Sequence, residues 1–297
     1  MPLKVIVVVL LAGLTGCAEE PRIEPSAAQY PSPMEEGTRA HDRVSEQSHA
    51  GLSFVLDEVL PRPVDVFVPD RWQGAEMLDL LVHFHGAAYV VREAVTRIDR
   101  PFALAVVNLG SGSFVYERPF QDNLAFSSLL SAIDRMLEPR LANLYLSSWS
   151  AGYEAVRAIL KSDFDGIQGI LLLDGLHTDY VPDRMTLFEG GTLNTVKLEG
   201  FLSFAREAIA GRKSMVITHS EIFPGTYAST TETATWIIRE AGLTRAPVLR
   251  WGPQGMQLLS EASEGRLYIL GFAGNASPDH IDHYHGMPTF LSALLSE

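Results

Sequence analysis

Leu144-Tyr145-Leu146-Ser147-Ser148-Trp149-Ser150-Ala151-Gly152-Tyr153 carries the chain from an apolar run into residues 153–161, whose apolar spacing is helical. Ser150 falls on the joint. A strand that passes into a helix within a few residues needs a sharp turn, and Ser148, Ala151 and Gly152 are small enough for one. A serine on such a turn projects its hydroxyl beyond the strand end, the placement of a nucleophile.

Short apolar runs alternate with helical patterns on either side of this turn. Val64-Asp65-Val66-Phe67-Val68 alternates as a strand does, and residues 78–84, 102–107, 170–173, 215–217 and 267–270 read as further strands. Helices are predicted over 124–137, 198–210 and 288–295. Ser229-Thr230-Thr231-Glu232 is a capping-box pattern opening one more helix, which closes near Gly242. Such alternation implies a mostly parallel central sheet with helices on both faces. Residues 178–196 interrupt it and are the candidate lid.

Residues 78–84 run into His83-Phe84-His85-Gly86-Ala87-Ala88. This His-Gly segment, followed downstream by the Ser150 turn, resembles the α/β-hydrolase superfamily of serine esterases. The resemblance covers most of residues 64–297, in the order of elements, and implies the α/β-hydrolase fold. It further implies an oxyanion hole from the backbone N–H groups of Ala87 and Ala151. The sequence departs from the common pattern with Ser148 where glycine is usual, and with Ala87-Ala88 in place of a glycine run.

A serine hydroxyl needs a base to take its proton and an acid to orient that base. In the family the histidine follows the last strand, which here leads into Asp279-His280-Ile281-Asp282-His283-Tyr284-His285. His280, in a loop just before the terminal helix, is the expected base, with His283 and then His285 as alternates. His280-x-x-His283 with flanking aspartates is also a spacing that metal sites use. For the acid, Asp174 ends a fully apolar strand and precedes glycine, a costly place for a lone carboxylate unless it is paired. Glu221 is the alternate, and Asp179 and Asp279 also remain open. Tyr116, Phe120, Trp149 and Tyr153 are expected to wall an acyl or sugar pocket at the carboxyl ends of the strands.

The resemblance implies a carboxylesterase-like enzyme that cleaves an ester through an acyl-enzyme on Ser150, without metal or organic cofactor. The alternatives are a peptidase or amidase with the same triad, and a non-catalytic binding protein of the envelope. The expected substrate is a small-molecule or glycan ester. The 297 residues carry a formal net charge of −13 spread along the chain, which argues against a nucleic-acid partner.

Residues 1–17 read as a targeting segment. Lys4 gives a positive start, residues 5–14 are apolar but too few to span a bilayer, and Leu14-Thr15-Gly16-Cys17 resembles the lipobox of bacterial lipoproteins. The resemblance implies lipidation of Cys17, and Ala18 after it favours the outer membrane. The expected location is the cell envelope, lipid-anchored and facing the periplasm. Cys17 is the only cysteine, so no intramolecular disulfide is available. Residues 18–50, rich in proline and small polar residues, read as a flexible tether, and residues 51–297 as the catalytic domain.

Overall fold

The computed structural model describes residues 43–296. The leader, Cys17 and residues 18–42 of the tether lie outside them. Antiparallel strands β1 (Gly51–Leu56) and β2 (Val64–Pro69) lead into β3 (Met77–Phe84), helix α1 (Ala88–Arg97) and β4 (Phe102–Val107). Helices α2 (Phe114–Glu117) and α3 (Asn123–Met136) precede β5 (Arg140–Trp149), α4 (Tyr153–Ile159) and β6 (Ile167–Leu173). A two-stranded ribbon, β7 (Tyr180–Val181) and β8 (Thr192–Leu193), then interrupts the alternation. It is followed by α5 (Glu199–Ile209), β9 (Ser214–His219), α6 (Thr230–Glu240), β10 (Ala246–Trp251), β11 (Gln257–Glu264) and β12 (Leu267–Phe272). Two short helices, α7 (Ser277–His285) and α8 (Met287–Leu295), close the domain.

The main sheet has ten strands in the order β1-β2-β4-β3-β5-β6-β9-β12-β11-β10. Its centre, from β4 to β12, is parallel, and the outer strands on each side pair antiparallel. Parallel strands are covered on both faces, so their side chains are apolar in both directions. Along β6, Ile170 and Leu172 enter the core under α3–α6, while Leu171 and Leu173 enter the core under α1 and α8. Alternation by two is what the pleat imposes.

The edge strands escaped the sequence reading. On β10, Pro247 removes a backbone donor and Leu249 and Trp251 are exposed, so no inward apolar face marks it as a strand. Residues 178–196 hold the ribbon, which is pinned: the Tyr180 hydroxyl donates to Glu232 Oε2 at 2.8 Å, and Ala228 N–H donates to Thr178 O at 2.8 Å. Arg43, placed by composition in the tether, touches the domain, with Nε donating to Asp282 Oδ1 at 2.9 Å and Nη2 to Pro278 O at 3.1 Å. No helix among the described residues is long and apolar enough to cross a membrane.

Three neighbouring strands of the parallel centre end in residues with left-handed backbone: His85 after β3 (φ 74°), Ser150 after β5 (φ 48°) and Asp174 after β6 (φ 41°). Glycines let these ends approach one another. A Cβ on Gly152 would lie 2.1 Å from Phe84 O, and one on Gly175 would lie 2.5 Å from Ser150 O. Gly152→Ala is therefore expected to lower Tm by about 2–10 °C, the result of roughly 1–3 kcal/mol of overpacking. Gly166→Ala, whose Cβ meets nothing within 4 Å, should stay within about 2 °C of wild type in the same melts. Equal melting of the two variants would contradict the close approach.

Candidate active site

Ser150 opens a 3-10 turn, Ser150–Gly152, that leads straight into α4. Its left-handed φ turns the chain sharply, as the small flanking residues anticipate. No hydrogen bond joins the Ser150 hydroxyl to His280 among the described residues, but both side chains line one cavity of about 440 Å³, together with Asp174. A second cavity, of about 580 Å³, meets Ser150 from the side of Ala151 and Tyr153.

Asp174 is the candidate carboxylate that meets His280. Its Oδ2 lies 2.7 Å from His280 Nδ1. Its Oδ1 accepts from the Ser220 N–H at 2.8 Å and the Thr230 hydroxyl at 2.7 Å. Burial by itself pushes this carboxyl up, but His283 and His280 beside it and the bonds from His280 and Thr230 hold it well below the usual carboxylate range. Thr230 reaches it because α6 starts at the right place. Ser229 and Glu232 cap that helix reciprocally, with Ser229 N–H to Glu232 Oε2 at 2.7 Å and Glu232 N–H to Ser229 Oγ at 3.2 Å.

The other carboxylates have different work. Glu221 is exposed, and its backbone N–H donates to Gly274 O. Asp179 pairs with Lys197 at 2.6 Å. Asp279 Oδ2 accepts from the Ala276 N–H at 2.9 Å and so caps α7.

His280 sits on α7, not in the loop that the sequence reading expects. Pro278 in the first turn and the Asp279 cap start a helix directly after β12, a signal hidden in a stretch too short to show periodicity. His283, one turn further on, is fully buried, with Nδ1 2.8 Å from Thr218 Oγ1 and its ring edge-on to Phe272. It lines neither cavity. His285 is likewise on α7 and outside both cavities. Among the described residues no group of three or more His, Cys, Asp or Glu is placed to hold a metal ion.

The aromatic residues divide by role. Tyr153 lines the larger cavity. Tyr116 does not line either cavity, because it is wholly buried and its hydroxyl is spent on the loop after β4. That hydroxyl accepts from Leu109 N–H at 3.1 Å and lies 2.8 Å from His85 Nδ1. Phe120 packs edge-on against Phe84 in the core. Trp149 also lines neither cavity. Its indole stacks on His280 at 4.9 Å and on His85 at 5.1 Å, while Nε1 donates to His280 O at 3.0 Å. It orients the histidine, a role no spacing in the sequence reveals.

Ala87 precedes the first turn of α1, and Ala151 is the second residue of the 3-10 turn. The leading N–H groups of a helical turn have no acceptor within it. Tyr284 Oη donates to Ala87 O at 2.7 Å, and His83 Nε2 donates to His85 O at 2.7 Å, which hold this segment in its left-handed turn. His83, read from the sequence only as part of a strand, is thus a positioning residue.

No family model matches the sequence, and no curated protein matches it. Solved structures do. A mutant of the feruloyl esterase module from Clostridium thermocellum, complexed with sinapinate, superposes with a TM-score of 0.51 at 10% identity over 87% of this chain and 95% of that one. A structure of FAE gives a TM-score of 0.51 at 10% identity, over 85% of this chain and 92% of that one. The chain has the α/β-hydrolase fold.

Burial also sets how this α/β-hydrolase fold responds to acid. It pushes His83 and His219 down to about 3 and His283 down to about 4, from 6.5. Unfolding frees these rings to ionise near 6.5, so below that pH the unfolded chain binds protons that the folded chain refuses. Stability is then full above pH 6.5 and declines as pH falls toward 4, at most by about 1.4 kcal/mol per pH unit for each ring. Urea midpoints should therefore drop between pH 7.5 and pH 5. A flat profile would contradict neutral burial of these histidines.

Proposed function

We propose that this chain is a serine hydrolase that cleaves a carboxylic ester through an acyl-enzyme on Ser150. The observation that carries the reading is the 2.7 Å contact of Asp174 Oδ2 with His280 Nδ1, in a cavity that Ser150 also lines. A carboxylate on Nδ1 fixes that proton there and leaves Nε2 as the base. Ser150 Oγ attacks the ester carbonyl while His280 Nε2 accepts its proton. The oxyanion is stabilised by the N–H groups of Ala87 and Ala151. His280 then gives the proton to the leaving alkoxide, and water, deprotonated by the same ring, releases the acid. Asp174 stays ionised throughout and stabilises the imidazolium. Esters are also the substrates named for the feruloyl esterase module that shares the fold.

The proposal extends to location. Cys17 is lipidated and residues 18–42 tether the catalytic domain to the envelope, on the periplasmic side of the outer membrane. A Cys17→Ser variant should leave the membrane fraction on cell fractionation, and its retention there would contradict the anchor.

Fluorophosphonate labelling tests the chemistry. The domain lacking residues 1–17 should be labelled, and Ser150→Ala should abolish labelling. His280→Ala should slow it by about 10³-fold or more, whereas His283→Ala, if folded, should be labelled within about tenfold of wild type. Loss of labelling through folded His283→Ala rather than His280→Ala would reassign the base, and no labelling of wild type would favour a binding protein.

A further inference from the structure

His177 stands beside the nucleophile and has no part in the chemistry above. It follows Leu173, the last residue of β6, by four positions and lines both cavities, as Ser150 and Tyr227 do. Its ring is locked on three sides. Nδ1 lies 2.8 Å from Ala228 O, and Tyr153 and Tyr227 pack edge-on at 5.6 and 5.0 Å. The Arg157 guanidinium holds its backbone carbonyl.

A carbonyl oxygen only accepts, so the Nδ1 facing it must carry the proton. Burial pushes the imidazole down to about 4, so the ring is neutral at pH 7. Nε2 is then a bare lone pair. The ring's one hydrogen bond among the described residues is that of Nδ1, and the residue lines both cavities. An acceptor fixed in cavities that Ser150 also lines recognises one kind of group, a hydrogen-bond donor on the substrate.

Neighbouring groups narrow the donor to a hydroxyl. Asn275 and Ser277 line the smaller cavity and make no side-chain hydrogen bond among the described residues. An amide and a hydroxyl both give and take hydrogen bonds, which matches hydroxyl groups rather than an alkyl chain. His280 must reach the leaving oxygen to protonate it, so the leaving alcohol occupies the cavity that His280 lines. We propose that His177 is a specificity-determining residue whose Nε2 accepts from a hydroxyl of the leaving alcohol, so that the substrates are esters of polyols. This inference rests on the hydrolase reading above.

The test compares glycerol 1-butyrate with propyl butyrate, which share an acyl group and differ in the hydroxyls of the alcohol. Wild type should prefer the glycerol ester in kcat/KM by about tenfold, the value of one neutral hydrogen bond. His177→Phe should bring that ratio to within about twofold of unity, and His177→Gln, which restores an acceptor, should recover part of it. Fluorophosphonate labelling of each variant separates the causes. Labelled wild type with no preference, or a preference unmoved by both substitutions, overturns the role of His177 alone. Absence of labelling in wild type overturns the hydrolase reading and this inference with it.

Discussion

Asp174 is a carboxylate placed where water cannot solvate it, at the tip of an apolar strand and only 2% exposed. A buried charge of this kind is tolerated only if its lone pairs are filled. Three donors fill them, and each comes from a different element: Ser220 after β9, Thr230 at the start of α6 and His280 on α7. The requirement of one carboxylate therefore fixes where three chain segments lie. Removing any of the donors would leave charge uncompensated, so the site and the local fold are held by the same bonds.

The strand ends show a second constraint. His85, Ser150 and Asp174 all adopt left-handed backbone, which costs a residue with a Cβ about 1–3 kcal/mol. The strand segments beneath them, residues 78–84 of β3, 145–148 of β5 and 169–173 of β6, are buried, and that packing offsets the strain. The chain is bent sharply at three adjacent points where hydrogen-bonded parallel neighbours end. The stack of His85, Trp149 and His280 rings then ties two of these ends to α7.

How much of this the sequence carried depended on whether a signal is local. The Ser150 turn was legible because strand, small residues and helix follow one another within a few positions. Asp174 was legible because a charge ending an apolar run is conspicuous, and the Ser229–Glu232 capping box because its partners are three residues apart. The helix holding His280 was not, since nine residues with alternating His and Asp show no apolar stripe. Nor were the roles of Tyr116 and Trp149. Whether an aromatic ring walls a cavity or props a histidine depends on which partner packs against it from far along the chain, and residue spacing does not carry that. The antiparallel strands β1, β10 and β11 show little apolar alternation: β1 and β10 are edge strands with a solvated face and a glycine or proline, and β11 is polar over most of its length.

The central claim is that Asp174, His280 and Ser150 act as one unit. Rapid quenching of the domain lacking residues 1–17 after mixing with 4-nitrophenyl acetate, followed by peptide mass spectrometry, tests it most directly. The account predicts an acetyl group on the peptide containing Ser150, formed with a burst of about one nitrophenol per enzyme and greatly slowed in Asp174→Asn. Turnover with no acylated Ser150, or an undiminished burst in folded Asp174→Asn, would contradict it.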